Sequence, residues 1–327
     1  MSSGYSGPRK VIVGTTMHNM FCPYPGLEAR LNELGSLVDR MAEEAATRYS
    51  GARLDIAALP EEAVTGGKEG ALPEASAPLE GLVLDVMGAK ARQHQCYIGV
   101  PLDLAEDAER GLYSNAVVLL GRDGNVAGIY RKVFPVVDRG AETAEGGIKP
   151  GADFPVFECD FGRVGIQICY DMTFDEGWDT LKRKGAEVVL WSSQWPGRIH
   201  PASRALRGRY FILSSTWRNN ASLLDPTGHI IRDIQEDGVF VEQIDLEYSL
   251  ITWQPELKNG RAFEEAFGSR AGYRYSEAED CGIFWSNDPS LPIEEMVRRL
   301  GVETKPEEWK RCRRILDTLR GGTPSLT

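Results

Sequence analysis

Three side chains that could together attack a carbonyl carbon lie at the ends of apolar, strand-like runs of the sequence. Cys169 ends one such run, Glu61 follows a second, and Lys132 follows a third. A thiol with its ordinary pKa of about 8.5 is only a few per cent thiolate at neutral pH, so it needs an adjacent base or cation. Glu61 could accept the proton and Lys132 could hold the resulting negative charge. The three residues therefore predict nucleophilic catalysis by a cysteine.

Each of these residues, taken alone, has a commoner explanation. A cysteine at the end of an apolar run is usually a buried structural residue, and a single lysine is usually exposed. Glu61 stands beside Glu62, and such a pair is by default a solvated part of a loop. The position of Glu61 directly after Pro60 favours Glu61 as the reactive carboxylate, with Glu62 as the alternative.

The elements that could hold these residues are alternating strands and helices in the first part of the chain and hairpins after it. The spacing of apolar residues predicts strands and amphipathic helices at residues 10–17, 26–49, 54–59 and 79–94. Hairpin turns are predicted at residues 122–125, 160–162 and 225–228. Helices and apolar runs lie between the last two turns, at residues 174–184, 186–190, 201–208 and 210–214. We therefore expect a mixed sheet covered by helices, with its last strand at residues 238–245.

Composition excludes several classes of protein. The 327 residues carry a net charge of −11 and no long basic run, which argues against nucleic acid as a partner. No apolar run approaches the roughly 18 residues that a membrane span needs, and the first ten residues lack the apolar core of a secretory signal. The six cysteines form no CxxC pair, so neither a disulfide scaffold nor a metal site is predicted. We expect a cytoplasmic protein without membrane contact.

Three short motifs resemble one enzyme family. They are Pro60-Glu61, Tyr130-Arg131-Lys132 and Cys169-Tyr170-Asp171, and they are similar to the glutamate, lysine and cysteine motifs of the nitrilase, or carbon-nitrogen hydrolase, superfamily. Further similar segments follow in the same order, at residues 113–115, 122–124, 149–151 and 225–228. The resemblance runs from about residue 10 to residue 245. It implies an α/β fold, a four-layer αββα sandwich commonly built when two subunits pack together, and a thiol that the substrate acylates.

The resemblance also implies roles for individual residues, with no metal or organic cofactor. Lys132 and the backbone N–H of Tyr170 would stabilise the oxyanion that forms when Cys169 attacks. Glu61 would protonate the leaving amine and then activate water.

Family members often carry a second glutamate before a Pro-Gly pair. Both Glu142 and Glu145 precede Pro150-Gly151, and the spacing favours Glu145. That residue would orient substrate or water beside Lys132.

Substrate contacts are predicted from position along the chain. Gln194 and Trp195 follow a strand that is expected to neighbour the cysteine strand, so they should line the mouth of the pocket together with Tyr170. Trp195 has an equally good alternative as a core or interface residue.

The leading functional prediction is hydrolysis of a non-peptide C–N bond in a small amide or N-carbamoyl compound, through a covalent cysteine acyl intermediate. The first alternative is nitrile hydrolysis, but true nitrilases usually have Cys-Trp-Glu where this chain has Cys169-Tyr170-Asp171. N-carbamoyl amino-acid hydrolases often have arginines just after the cysteine, and Met172-Thr173 do not supply them, which favours an amidase. Acyl transfer to an amine and a non-catalytic binding or assembly module remain as further alternatives.

The sequence predicts a catalytic domain over residues 1–246 and a C-terminal extension over residues 247–327. Aromatic residues cluster in this extension, at Trp253, Phe263, Phe267, Tyr273, Tyr275, Phe284 and Trp285. Leaving such apolar area in water would cost roughly 25 cal/mol per Å². We expect a second copy of the chain to cover it, giving a homodimer or a larger homo-oligomer. The alternative is that the extension folds back on its own subunit.

Overall fold

The computed structural model describes residues 7–321. They form two compact units, one of residues 11–244 and the other of residues 7–10 together with residues 245–321. The predicted catalytic domain, residues 1–246, differs from the first unit because residues 7–10 group with the C-terminal segment. Among residues 7–321, no helix is long and apolar enough to cross a membrane.

The first unit begins with alternating strands and helices and continues with antiparallel hairpins. Its elements in chain order are β1 (Lys10–Met17), α1 (Leu27–Arg48), β2 (Ile56–Ala58), α2 (Leu72–Ala75), α3 (Leu82–His94), β3 (Tyr97–Asp107), β4 (Leu112–Leu120), β5 (Val126–Arg131), β6 (Val156–Cys159), β7 (Gly162–Ile168), α4 (Asp175–Arg183), β8 (Val188–Ser193), α5 (Ile199–Gly208), β9 (Phe211–Thr216), β10 (Ala221–Leu224), β11 (Ile230–Ile234) and β12 (Gly238–Asp245). A 3₁₀ turn, Cys169–Thr173, directly follows β7.

The strands form two halves that meet at a single paired position. One half has the order β5-β4-β3-β2-β1-β12, and the other has the order β6-β7-β8-β9-β10-β11. The halves join where Met17 of β1 pairs with Thr216 of β9. Parallel pairing within each half places the C-terminal ends of β1, β2, β7, β8 and β9 at comparable positions, which is where the polar residues of the sequence are found.

The two halves pack face to face between two layers of helices. Strand β2 lies against β8 and β9, and β4 lies against β7. Helices α1 and α3 cover the outer face of the first half with residues that recur every three or four positions, including Leu34, Val38 and Met41 of α1. Helices α4 and α5 cover the second half, where Trp178 and Leu181 pack against β8 and β9. The predicted four-layer αββα sandwich is confirmed, but a single chain supplies all four layers, so the expectation that two subunits build it is wrong.

The predicted elements of the first unit are found with shifted ends, and one strand was missed. Strand β2 has three residues rather than the predicted six. Strand β3 was not predicted, because Pro101 and the charged residues Asp103, Glu106 and Asp107 interrupt its apolar pattern. The segment at residues 113–115, expected just before a strand, lies inside β4 because β3 and β4 pair along nearly their whole length.

The second unit has a core of its own. Its elements are β13 (Tyr248–Thr252), α6 (Arg261–Phe267), β14 (Ala271–Ser276), β15 (Cys281–Ser286), α7 (Ile293–Leu300) and α8 (Lys305–Leu319), and its three strands form an antiparallel sheet in the order β13-β15-β14. The rings of Phe263 and Phe284 lie 4.6 Å apart inside this unit. Together with Phe267 they are buried there, so the expectation that a partner subunit must cover these three rings is wrong. Trp253 stays 54% exposed, and α8 has no buried residue.

Candidate active site

The structure brings Glu61, Lys132 and Cys169 together at the ends of three strands. Glu61 follows β2, Lys132 directly follows β5, and Cys169 directly follows β7. The Nζ atom of Lys132 lies 2.7 Å from Oε1 of Glu61, and both side chains are buried. The thiol of Cys169 interacts with the Glu61 carboxylate, with the Lys132 charge and with the hydroxyl of Ser193. The three predicted residues therefore form one cluster.

The backbone of Cys169 is held in the left-handed region, with φ of 39°. This conformation is costly for a residue with a side chain and persists only where the surroundings impose it. Asp171 imposes it here, because its Oδ2 accepts a hydrogen bond of 2.9 Å from the N–H of Ile168, directly before the cysteine. Its Oδ1 accepts another of 2.9 Å from the N–H of Phe134. Burial raises the pKa of Asp171 to about 6, and these donors oppose that rise.

The resting thiol of Cys169 is protonated. Burial, reinforced by the nearby charge of Glu61, raises its pKa to about 12, while Lys132 and the hydrogen bond with Ser193 act in the opposite direction. A nucleophilic thiolate must therefore be produced by transfer of the proton to a base at the moment of attack. Glu61 is the carboxylate that contacts the thiol.

Lys132 stays charged although it is almost completely buried. Burial alone would lower its pKa, but Glu61 and Glu145 outweigh burial and raise the pKa well above its ordinary value. Its Nζ lies 2.5 Å from Oε1 of Glu145. Glu142, the alternative second glutamate, is exposed and makes no such contact. The geometry thus pairs Glu145 with Lys132, as the spacing predicted.

Both oxygens of the Glu61 carboxylate are held by hydrogen bonds. Oε1 accepts from Nδ2 of Asn115 at 2.9 Å in addition to Lys132, and Oε2 accepts from the N–H of Gln194 at 3.0 Å. The indole N–H of Trp217 fixes the Glu61 backbone carbonyl at 2.6 Å. These contacts keep the carboxylate in one orientation beside the thiol.

The three predicted substrate contacts occupy different positions. The backbone N–H of Gln194 donates a hydrogen bond to Glu61, and its side-chain amide donates another of 3.1 Å to Glu62. Trp195 is partly buried and packs edge-to-face against Trp191, with ring centroids 6.2 Å apart, so its role in substrate contact stays a prediction. Tyr170 is 37% exposed.

Tyr170, the residue after the cysteine, also lines a cleft of about 540 Å³. The walls are mostly apolar and include Phe134 and Phe174, whose rings stack at 3.9 Å. The N–H of Val136, another lining residue, donates to Oε1 of Glu145 at 3.0 Å, so the cleft wall is tied to the charged cluster.

Sequence reasoning missed several residues of the site. Asn115 bridges Glu61 and Glu145, and its only trace in the sequence is the short segment at residues 113–115. Asp103 lies directly across from Asn115 in the β3–β4 pair, and it was missed because β3 was not predicted. Ser193, by contrast, ends β8 and belongs to the stretch before Gln194 and Trp195 that was expected at the mouth of the pocket. Within the part of the chain that the structure describes, no group of three histidine, cysteine, aspartate or glutamate residues could hold a metal ion.

Comparison with known proteins shows the family to which the chain belongs. The family model for carbon-nitrogen hydrolase matches residues 24–250, most of the chain. The chain therefore belongs to the carbon-nitrogen hydrolase family. It is 25% identical over 255 residues to an omega-amidase of Xenopus tropicalis, an alignment that covers 70% of this chain and 87% of the relative.

Solved structures share the fold. A branch 10 member of the nitrilase superfamily from Saccharomyces cerevisiae matches with a TM-score of 0.62 and 17% identity, over 81% of this chain and 97% of that protein. An amidase variant from Nesterenkonia sp. matches with a TM-score of 0.60 and 15% identity, over 75% of this chain and 93% of its own. That variant carries the acetamide moiety of fluoroacetamide on its active-site cysteine.

Proposed function

We propose that this carbon-nitrogen hydrolase cleaves a small amide through an acyl intermediate on Cys169. The observation that carries the proposal is the contact of the Cys169 thiol with the carboxylate of Glu61, which is itself paired with Lys132. A nucleophile, a base and a buried cation within one cluster are the parts that acyl transfer by a cysteine requires. We assign the reaction to the predicted catalytic domain, within residues 1–246.

The first half of the proposed reaction forms a thioester. The proton of the Cys169 thiol passes to Glu61 as the sulfur bonds to the carbonyl carbon of the substrate, whose oxygen becomes an oxyanion. Lys132 and the N–H of Tyr170 are the donors proposed for that oxyanion. The C–N bond then breaks, and Glu61 returns its proton to the departing amine or ammonia.

The second half releases the acid. Glu61 takes a proton from water, the resulting hydroxide attacks the thioester carbon, and the C–S bond breaks to give a carboxylic acid. The thiolate regains its proton from Glu61. Glu145, hydrogen-bonded to Lys132, keeps that ammonium aligned during both attacks.

Amides are favoured over N-carbamoyl compounds and nitriles as the substrate class. The Xenopus relative is named an omega-amidase, and the fluoroacetamide adduct belongs to an amidase. The residues after the cysteine, Tyr170 and Asp171, resemble the amidase branches. Tyr170 and the apolar cleft that it lines would hold the acyl chain of the substrate.

Ammonia release from matched primary amides, N-carbamoyl amines and nitriles tests the proposal. We expect turnover of amides, no effect of prolonged dialysis against a chelator, and a mass increase of the protein by one acyl group on Cys169. Cys169→Ala should abolish both turnover and acylation. Cys159→Ala, which removes a thiol outside the cluster, is the control and should retain both. Acylation that persists in Cys169→Ala would refute the assignment.

A further inference from the structure

Negative side chains outnumber positive ones around Lys132. Glu61 and Glu145 both contact its ammonium and together already exceed its single charge. Glu62 and Asp103 are two further carboxylates whose charges act on this group and on each other. The mechanism proposed above uses neither of them.

Glu62 and Asp103 lie close enough for the charge of Asp103 to act on Glu62. Glu62 has a left-handed backbone with φ of 52°, a conformation that costs free energy for a residue with a side chain. Asp103 faces the same side of the sheet as its cross-strand partner Asn115. The N–H of Asp103 also donates to Oγ1 of Thr65 at 3.0 Å, which ties β3 to the turn that carries Glu62.

The side chain of Asn115, across from Asp103, adds a buried hydrogen-bond acceptor. Its Nδ2 donates to Glu61 and, at 3.2 Å, to Glu145. Carboxylates only accept hydrogen bonds, so this orientation of the amide is chemically fixed and Oδ1 must point away from the glutamates. Oδ1 is buried, and no described residue donates a hydrogen bond to it. An unmatched buried carbonyl is costly, which indicates that a donor completes the site.

The raised pKa values of Glu62 and Asp103 also favour the binding of a cation. Burial, with Glu145 and Glu61 close by, raises the pKa of Asp103 to about 7. Burial, with the charges of Asp103 and Glu61, also raises the pKa of Glu62 well above its ordinary value. Both shifts mean that added positive charge would be stabilised here. An ammonium supplies that charge and N–H donors at once, whereas no described side-chain set suits a metal ion.

We propose that Glu62, Asp103 and the Oδ1 atom of Asn115 bind a primary ammonium group carried by the amide substrate. Three acceptors match the three N–H donors of such a group. The protein is therefore an amidase for substrates with a protonated amine. This inference rests on the proposed amide hydrolysis and specifies its substrate class.

The test compares ω-amino amides of three to six carbons with alkyl amides of equal length and with ω-carboxy amides. For the wild-type enzyme we expect kcat/KM to be at least tenfold higher for the ammonium series than for the neutral series. Glu62→Gln and Asp103→Asn, which remove the charge but keep the shape, should each reduce that ratio at least tenfold. Glu69→Gln removes an exposed carboxylate from the same loop and should keep the ratio.

A binding measurement separates this inference from the proposed reaction. Cys169→Ala, titrated calorimetrically with 5-aminopentanamide and with hexanamide, reports charge preference without turnover. Tighter binding of 5-aminopentanamide supports the ammonium site even if the wild type proves not to hydrolyse amides. Equal binding of the two, or better binding of an ω-carboxy amide, overturns it. A preference that survives in Glu62→Gln also overturns it, and this variant replaces a half-buried side chain by its isostere, so its fold is expected to persist.

Discussion

The hydroxyl of Tyr130 donates a hydrogen bond of 2.7 Å to Oδ2 of Asp171, and both side chains are fully buried. Tyr130 is the penultimate residue of β5, the strand that leads to Lys132, and Asp171 shapes the turn that carries Cys169. The bond therefore joins the segment that carries Lys132 to the segment that carries Cys169 and helps to set the distance between these two residues. The Asp171 carboxylate contacts neither the Nζ atom of Lys132 nor the sulfur of Cys169, so Asp171 acts as a positioning residue.

Tyr130→Phe should lower the free energy of unfolding by about 1–2 kcal/mol, because it removes one donor from a buried carboxylate. It should also lower kcat/KM by about tenfold while KM changes little, since the cysteine turn loses one of its restraints. Denaturant unfolding and steady-state kinetics measure the two effects. Tyr97→Phe removes a hydroxyl bonded to the Asp160 backbone and should affect stability without lowering the rate.

Glu61→Gln should lower the rate at least about a hundredfold, because the amide cannot take the thiol proton. Lys132→Met should lower the rate at least as much and should also destabilise the fold by about 3–5 kcal/mol, since it leaves buried carboxylates without their cation. Rate and unfolding are measured on the same samples. A Glu61→Gln enzyme that keeps more than a tenth of the rate would remove the base from the mechanism.

Glu145→Gln and Glu142→Gln form a matched pair. Glu145 contacts Lys132, whereas Glu142 is exposed in the same loop. We expect Glu145→Gln to lower kcat by about ten- to a hundredfold and Glu142→Gln to leave it within twofold. Equal losses in the two variants would mean that the loop, rather than the carboxylate at residue 145, is what matters.

The preference for ammonium-bearing amides should rise with pH. Asp103 has a raised pKa of about 7, so it is neutral in most molecules below pH 7 and charged in most molecules above it. An ammonium with an ordinary amine pKa of about 10 stays protonated throughout this range. The ratio of kcat/KM for ammonium and neutral amides should therefore increase between pH 6 and pH 8, and the increase should shrink in Asp103→Asn. A ratio that falls with pH in the wild type would contradict the assignment.

Subunit association remains a prediction, and α8 offers a sharper place to test it than the whole extension. Ile315, Leu316 and Leu319 are exposed on this helix. Light scattering should show at least a dimer, and Leu316→Glu combined with Leu319→Glu should weaken association about tenfold or more. Thr318→Glu, on another side of the helix, is the control. A monodisperse, active monomer at micromolar concentration would contradict the prediction.

Sequence patterns revealed the fold where one periodicity dominates a segment. Helix α1 was predicted almost to the residue because its apolar positions face one core. Strand β12, residues 238–245, was predicted with its observed ends. Strand β3 was missed because Asp103, Glu106 and Asp107 interrupt its apolar pattern, and of these Asp103 is polar because it faces the charged cluster.

The residues of the candidate site also fall into those that local sequence patterns identified and those that they did not. Glu61, Lys132 and Cys169 were identifiable because each follows an apolar run within a short motif. Asn115 and Asp103 were not, because their proximity comes from strand register, which joins residues without a shared local pattern. The aromatic residues of the C-terminal segment were recognised as a cluster, but their internal core depends on pairing between β13, β14 and β15.

Strand β12 pairs with β1, so the sheet of the first unit is completed only after nearly the whole unit has been synthesised. Thr16 on β1 donates to the carbonyl of Gly238 across 222 positions of the chain. During synthesis at about 5–20 residues per second, one edge of β1 waits roughly 10 to 45 s for its final neighbour. A nascent chain is thus a template for any other extended segment throughout that interval. Slowed translation between β11 and β12 should increase aggregation more than an equal pause after β12.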